Sequence, residues 1–150
     1  MKDIYAYNEI IKKARTFFSD INGFVEVPAQ SRLSILAACE DPTTISEYIF
    51  NGMKYPLPQT GQMWLEEELL KNPEVNGVFC VTTSYRDEKN IIEGRHDKIF
   101  PMFEFESKGG IEDLKGLERR LLDHLGFNTG INLNYEEACK KYGVGTLEAE

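Results

Sequence analysis

Apolar residues recur at three- and four-residue steps through Ile4, Tyr7, Ile10, Ile11, Ala14, Phe17, Phe18 and Ile21. This spacing predicts a helix with one wide apolar stripe, ended by Asn22-Gly23. Phe24-Val25-Glu26-Val27 reads as a short strand stopped by Pro28. Ser34 to Cys39 is apolar, Asp41-Pro42-Thr43-Thr44 reads as a turn, and Tyr48 to Met53 as a short strand. The prolines make Tyr55-Pro56-Leu57-Pro58 extended. The Leu- and Glu-rich run from Gly61 to Lys71 predicts a helix closed at Asn72-Pro73. Gly77 to Tyr85 reads as a buried strand, residues 87–98 as a polar loop, and Ile99 to Glu106 as the partner strand. Ile111, Leu114, Leu117, Leu121, Leu122 and Leu125 mark a helix ended by Gly126. Asn134-Tyr135-Glu136-Glu137 reads as a capped helix start, with Gly143 at the far end. Strand pairs with helices set apart from them predict an α+β fold, an antiparallel sheet flanked by helices.

Composition narrows the class. A length of 150 residues fits one domain, 1–150. With 41 % hydrophobic and 28 % charged residues, the chain has enough apolar content to exclude disorder. No apolar run approaches the roughly 20 residues of a membrane span. Lys and Arg number 17 against 25 Asp and Glu, a formal charge of −8, which excludes a general DNA or RNA coat. Met1-Lys2-Asp3-Ile4 lacks the layout of a secretory signal. Cys39, Cys80 and Cys139 are odd in number, with no CxxC pair, so the expectation is reduced thiols, no cysteine zinc site and a cytoplasmic setting.

The candidate chemistry lies in Ser84-Tyr85-Arg86-Asp87-Glu88, the loop ending Gly94-Arg95-His96, and Phe100-Pro101-Met102-Phe103-Glu104. Side chains alternate faces along a strand. Arg86 and Glu88 then share one face, and so do Phe100, Met102, Glu104 and Glu106. Ile99, Pro101, Phe103 and Phe105 take the other face, which is apolar and expected to be core. An aromatic ring beside two carboxylates and an arginine suits a nucleotide. The guanidinium pairs with phosphate oxygens, a carboxylate accepts from the amine of adenine, and the ring stacks on the base. A solvated Arg86–Glu88 pair is the plain alternative. His124, in a leucine-rich helix, reads as structural.

These residues resemble signature motif 2 of class II aminoacyl-tRNA synthetases, in the subgroup for aspartate, asparagine and lysine. Tyr85, Arg86, Glu88, Arg95, His96, Phe100 and Glu104 fill its places in register. The first helix with Gly23-Phe24-Val25-Glu26-Val27-Pro28 is similar to motif 1, the family's dimer element. Cys39-Glu40 stands where asparaginyl-type enzymes carry a Cys-Glu pair. Thr60-Gly61-Gln62-Met63-Trp64-Leu65-Glu66 is similar to their Ser-Gly-Gln-Leu-x-x-Glu run. Leu65 occupies the place of a lysine found in aspartyl enzymes, which favours a neutral or amide substrate. Tyr135-Glu136-Glu137-Ala138 with Tyr142-Gly143 resembles the helix after motif 2.

The resemblance implies ATP-dependent activation of an amino acid, asparagine or aspartate, with tRNA or ammonia as acceptor. It implies ATP and Mg²⁺ as cofactors and a homodimer. It places Arg86 at the α-phosphate as the catalytic residue, with Glu88, Arg95, His96, Phe100 and Glu104 completing the ATP site. Glu40, Gln62 and Glu66 are the amino-acid site residues, and no protein metal ligand is expected. The family's anticodon-binding domain and motif 3 find no counterpart here, so the expectation is a partial catalytic domain: a piece of a longer enzyme or a reduced relative. The alternative is a non-catalytic dimeric binding module.

Overall fold

The computed structural model describes residues 3–28, 41–94, 96–127 and 130–143. The apolar run 34–39, Cys39, Glu40 and Arg95 lie outside the described residues. Helix α1 (Ile4–Arg15) starts at Asp3, whose carboxylate accepts from the Tyr5 and Ala6 amides. It runs on into a π-helical turn (Thr16–Ile21) that buries Phe17 and Phe18. The stripe is thus only partly covered: Ala14, Phe17 and Phe18 are buried, while Ile4, Tyr5, Ile10 and Ile21 are exposed.

Strand β1 (Val25–Glu26) pairs with β4 (Gly77–Tyr85) in parallel, and β4 pairs with β5 (Ile99–Ser107) antiparallel. The sheet order is β1-β4-β5. The parallel β1 differs from an all-antiparallel sheet, and its cause is connectivity, since residues 27–76 intervene between the paired strands. The Pro42–Thr44 turn is a single 3-10 turn capped by Asp41. The expected single strand over 48–53 is instead a hairpin, β2 (Glu47–Phe50) and β3 (Met53–Pro56). Asn51 and Gly52 both take left-handed backbone, φ 51° and 77°, and reverse the chain between them. An Asn-Gly pair suits the mirror-image turn that matches strand twist.

Helix α2 (Gln62–Lys71), α3 (Ile111–Leu125) and α4 (Tyr135–Tyr142) complete the chain. In α4, Asn134 and Glu137 cap each other's amides as expected. Among the described residues no helix is long and apolar enough to cross a membrane.

The sheet is covered on both faces. Phe79, Phe103 and Phe105 meet Phe17, Phe18, Phe24 and Leu117 on one side. Val78 and Cys80 meet Trp64 and Leu65 of α2 on the other. Ile99, on the face expected to be core, is 63 % exposed because the aromatic cluster covers only the 103–105 end of that strand. At Gly77 an added Cβ would lie 2.4 Å from the Phe24 ring. Gly77→Ala is therefore expected to cost about 1–3 kcal/mol, the usual range for overpacking, measured by denaturant unfolding.

Candidate functional site

The register of β4 against β5 sets the site. Thr82 lies opposite Met102, Ser84 opposite Phe100, and Cys80 opposite Glu104. Opposed residues share a face, so Phe100, Met102 and Glu104 project to the α2 side, as alternation predicts. Pairing continues one step past β4, where the Arg86 amide donates to the Lys98 carbonyl at 2.8 Å. That extension carries Arg86 onto the same side as Ser84. A cleft of about 400 Å³ opens there, lined by Asp41, Thr44, Gln59, Thr60, Arg86, Glu88 and Met102.

Arg86 is half-buried. Its guanidinium carbon stands 5.4 Å from the centroid of the Phe100 ring, a cation–π contact. Its Nε donates to the Ser84 hydroxyl at 3.3 Å. Arg86, Glu88 and Phe100 are thus brought to one place. His96 sits in the loop before β5; its Nδ1 accepts from the Ile92 amide at 3.2 Å, and its own amide donates to the Ile92 carbonyl at 3.0 Å. Asp41, at the mouth, has its carboxyl held below the ordinary range by the Thr43 amide and hydroxyl.

Glu104 has partners within the protein. One carboxylate oxygen accepts from the Gly61 amide at 2.8 Å and from the Thr82 hydroxyl at 2.8 Å; the other accepts from the Thr60 hydroxyl. The carboxylate thereby holds the first turn of α2, where helix amides lack internal acceptors and a negative charge is favoured. Gln62 and Glu66 lie one turn apart on α2 and are joined by a bond from Nε2 to Oε1 at 3.2 Å.

Glu106 completes this acidic group. Burial raises its pKa above the ordinary 4.5, Glu66 and then Glu104 add to the rise, and a hydrogen bond with Gln62 opposes it. Glu106 therefore keeps its proton to higher pH in the folded protein than in the unfolded chain. Unfolding releases that proton, so its effect on stability worsens as pH rises through the folded pKa. Glu106→Gln is expected to raise Tm at pH 7 and leave it unchanged at pH 4, as thermal melts would record.

Two polar residues that alternation alone did not single out belong to the site. Ser84 is 0 % exposed and Gln59 is 4 % exposed, yet both carry hydrogen bonds that reach the cleft. The readable signal was polar Thr82 and Ser84 at alternate positions of an otherwise apolar strand. Leu65 is fully buried among Trp64, Val78 and Cys80, so it packs in the core instead of lining the cleft. Burial pushes the Cys80 thiol up to about 12, with Glu104 and Glu26 adding to the rise, which leaves it unreactive at neutral pH. His124 is structural: its ring lies 5.5 Å from Phe17, and Nε2 is 3.1 Å from the Lys13 carbonyl.

No family model matches the chain. Over 99 residues, 66 % of its length, the chain is 35 % identical to the asparagine–tRNA ligase of Desulforamulus reducens, and the match spans 21 % of that protein. The asparaginyl-tRNA synthetase of Pyrococcus horikoshii, solved with asparaginyl-adenylate, superposes with a TM-score of 0.64 and 25 % identity, covering 77 % of this chain and 25 % of that one. The asparaginyl-tRNA synthetase of Entamoeba histolytica, also solved with asparaginyl-adenylate, gives a TM-score of 0.54 at 16 % identity over 95 % of this chain and 38 % of that one, a likeness of fold. The chain spans about a fifth of the curated relative's length. In sequence and in fold, then, it carries a class II aminoacyl-tRNA synthetase catalytic-type domain that is similar to those of asparaginyl enzymes.

Proposed function

We propose that this domain binds ATP and an amino acid, asparagine before aspartate, and takes part in forming an aminoacyl-adenylate. The observation that carries the reading is a cleft lined by Arg86 and Glu88, with the Phe100 ring against the Arg86 guanidinium. The likeness to two enzymes solved with asparaginyl-adenylate supports it. The substrate carboxylate attacks the α-phosphorus, the bond to the bridging oxygen breaks, and pyrophosphate leaves. Arg86 bridges the α-phosphate and the attacking carboxylate, neutralising charge as it gathers there. Phe100 carries the adenine ring and Glu88 accepts from its amine. Arg95 and His96 hold the β and γ phosphates.

Glu40 and Gln62 orient the amino acid. Glu66 fixes Gln62 through their shared hydrogen bond, and Glu104 fixes the turn from which Gln62 projects. Among the described residues no group of three His, Cys, Asp or Glu side chains is placed to hold a metal ion. Magnesium would accompany the triphosphate, as the resemblance to class II synthetases implies. tRNA, through its acceptor end, or ammonia would take the activated amino acid. The exposed apolar face of α1, with Ile4 at 66 % and Tyr5 at 78 %, supports a homodimer and favours a dimeric binding module as the second reading. Amino-acid-dependent exchange of labelled pyrophosphate into ATP separates the two. Exchange with asparagine supports activation; no exchange with any of the twenty amino acids supports the binding module.

A further inference from the structure

We infer that Ser84, anchored on the Gln59 carbonyl, is a positioning residue that fixes the guanidinium of Arg86 at the cleft; this rests on the assignment of Arg86 to the nucleotide. A serine hydroxyl has one proton to give. Ser84 gives it to the Gln59 carbonyl at 2.8 Å. Its oxygen is then left as an acceptor, and Arg86 Nε is the donor at 3.3 Å. The direction of the relay is therefore fixed by proton count. Packing alone does not require this hydroxyl, since Val78 and Cys80 fill the same face of β4 with apolar groups.

The anchor is itself held from several sides. The Tyr85 amide donates to the Pro58 carbonyl at 2.9 Å, which ties the chain at Gln59 to the end of β4. The Gln59 side-chain amide donates to Thr44 Oγ1 at 2.9 Å and to the Asp41 carbonyl at 3.4 Å. The Asp87 amide donates to the Thr44 carbonyl at 2.8 Å. Residues 41–44, 58–59 and 84–87 thus form one bonded unit around the base of Arg86. An arginine side chain has several free rotations, and ordering it at the moment of binding weakens a ligand. Ser84 at Nε and Phe100 beneath the plane fix that orientation beforehand. The bond at Nε also assigns the two terminal nitrogens to the paired bonds that a phosphate or carboxylate takes.

The test compares ATP affinity by calorimetry in the parent chain, Ser84→Ala, Arg86→Ala and the double variant, each first shown to be folded by thermal melting. A second readout, the Arg86 Nε–H signal in ¹⁵N spectra without nucleotide, does not depend on ATP. Ser84→Ala is expected to weaken ATP binding by about 3–10-fold when Arg86 is present and not at all when it is absent. It is also expected to shift the Nε–H signal and speed its exchange with water. Ser84→Cys, which keeps the volume with a weaker hydrogen-bonding group, should behave like Ser84→Ala. An unchanged Nε–H signal, or an equal loss of affinity in the Arg86→Ala background, would overturn the proposal. If Arg86→Ala leaves ATP affinity unchanged, the nucleotide assignment falls, and the Nε–H signal still decides whether Ser84 orients the guanidinium.

Discussion

Arg86→Ala is expected to weaken ATP binding roughly 30–100-fold while leaving the fold intact. The magnitude corresponds to a net loss of about 2–3 kcal/mol, the scale of one charge-assisted hydrogen bond to the phosphate, at about 1.4 kcal/mol per tenfold. Among the described residues the side-chain contacts of Arg86 are the uncharged Ser84 hydroxyl and the Phe100 ring, so its removal strands no partner charge. Arg15→Ala is the control. Arg15 makes a bidentate pair with Glu26, with contacts of 2.8 Å and 3.0 Å, linking α1 to β1 away from the cleft. That pair is exposed, so it contributes below about 1 kcal/mol and its loss should leave ATP affinity unchanged. Equilibrium titration of both variants with ATP checks the difference, and equal affinities would undo the assignment of Arg86.

Phe18→Ala is expected to have the largest effect on stability. Phe18 is 1 % exposed and lies within 5.9 Å, ring centroid to centroid, of Phe17, Phe24, Phe79, Phe103 and Phe105. It joins the π-helical turn, Phe24 just before β1, β4 and β5 at one point. Removing such a ring costs about 3–5 kcal/mol, which at this chain length lowers Tm by about 10 °C. The ring sits on the face of the sheet opposite the cleft. At a temperature where the variant is folded, ATP affinity should therefore be unchanged. A drop in affinity without a drop in Tm would contradict the division of the sheet into a packing face and a site face.

Much of this division is legible in the residue pattern. Two strands of alternating character, at 77–85 and 99–106, fix which side chains share a face, and the register bears this out for Phe100, Met102 and Glu104. Helix ends at Gly126 and Gly143 follow from the left-handed backbone that those positions adopt. The hairpin is a different case. Tyr48 to Met53 reads as one strand only if Asn51-Gly52 is passed over, yet that pair is the strongest local signal for a reversal. The second buried face is legible only as a continuous apolar run. Val78 and Cys80 alternate with Phe79, so both faces are apolar at that end, and only tertiary contact with Trp64 and Leu65 shows that both are covered.

The site is legible to a similar degree. Arg86, Glu88 and Phe100 are visible because an aromatic ring sharing a strand face with carboxylates and an arginine suits neither core nor solvent. Ser84 and Gln59 are hidden because their contribution lies in backbone and hydroxyl bonds that cross 25 positions of sequence. Glu104 reads as a ligand group because a carboxylate on a strand face invites one. Its three donors come from Thr60, Gly61 and Thr82, two of them more than 40 positions distant, which no local pattern reveals.

A crystal structure of this chain grown with a non-hydrolysable ATP analogue and asparagine would test the nucleotide site most directly. The expected density has the adenine ring against Phe100, its amine toward Glu88, and the α-phosphate within hydrogen-bonding distance of Arg86. A nucleotide bound elsewhere on the domain, or none at saturating concentration, would contradict the account.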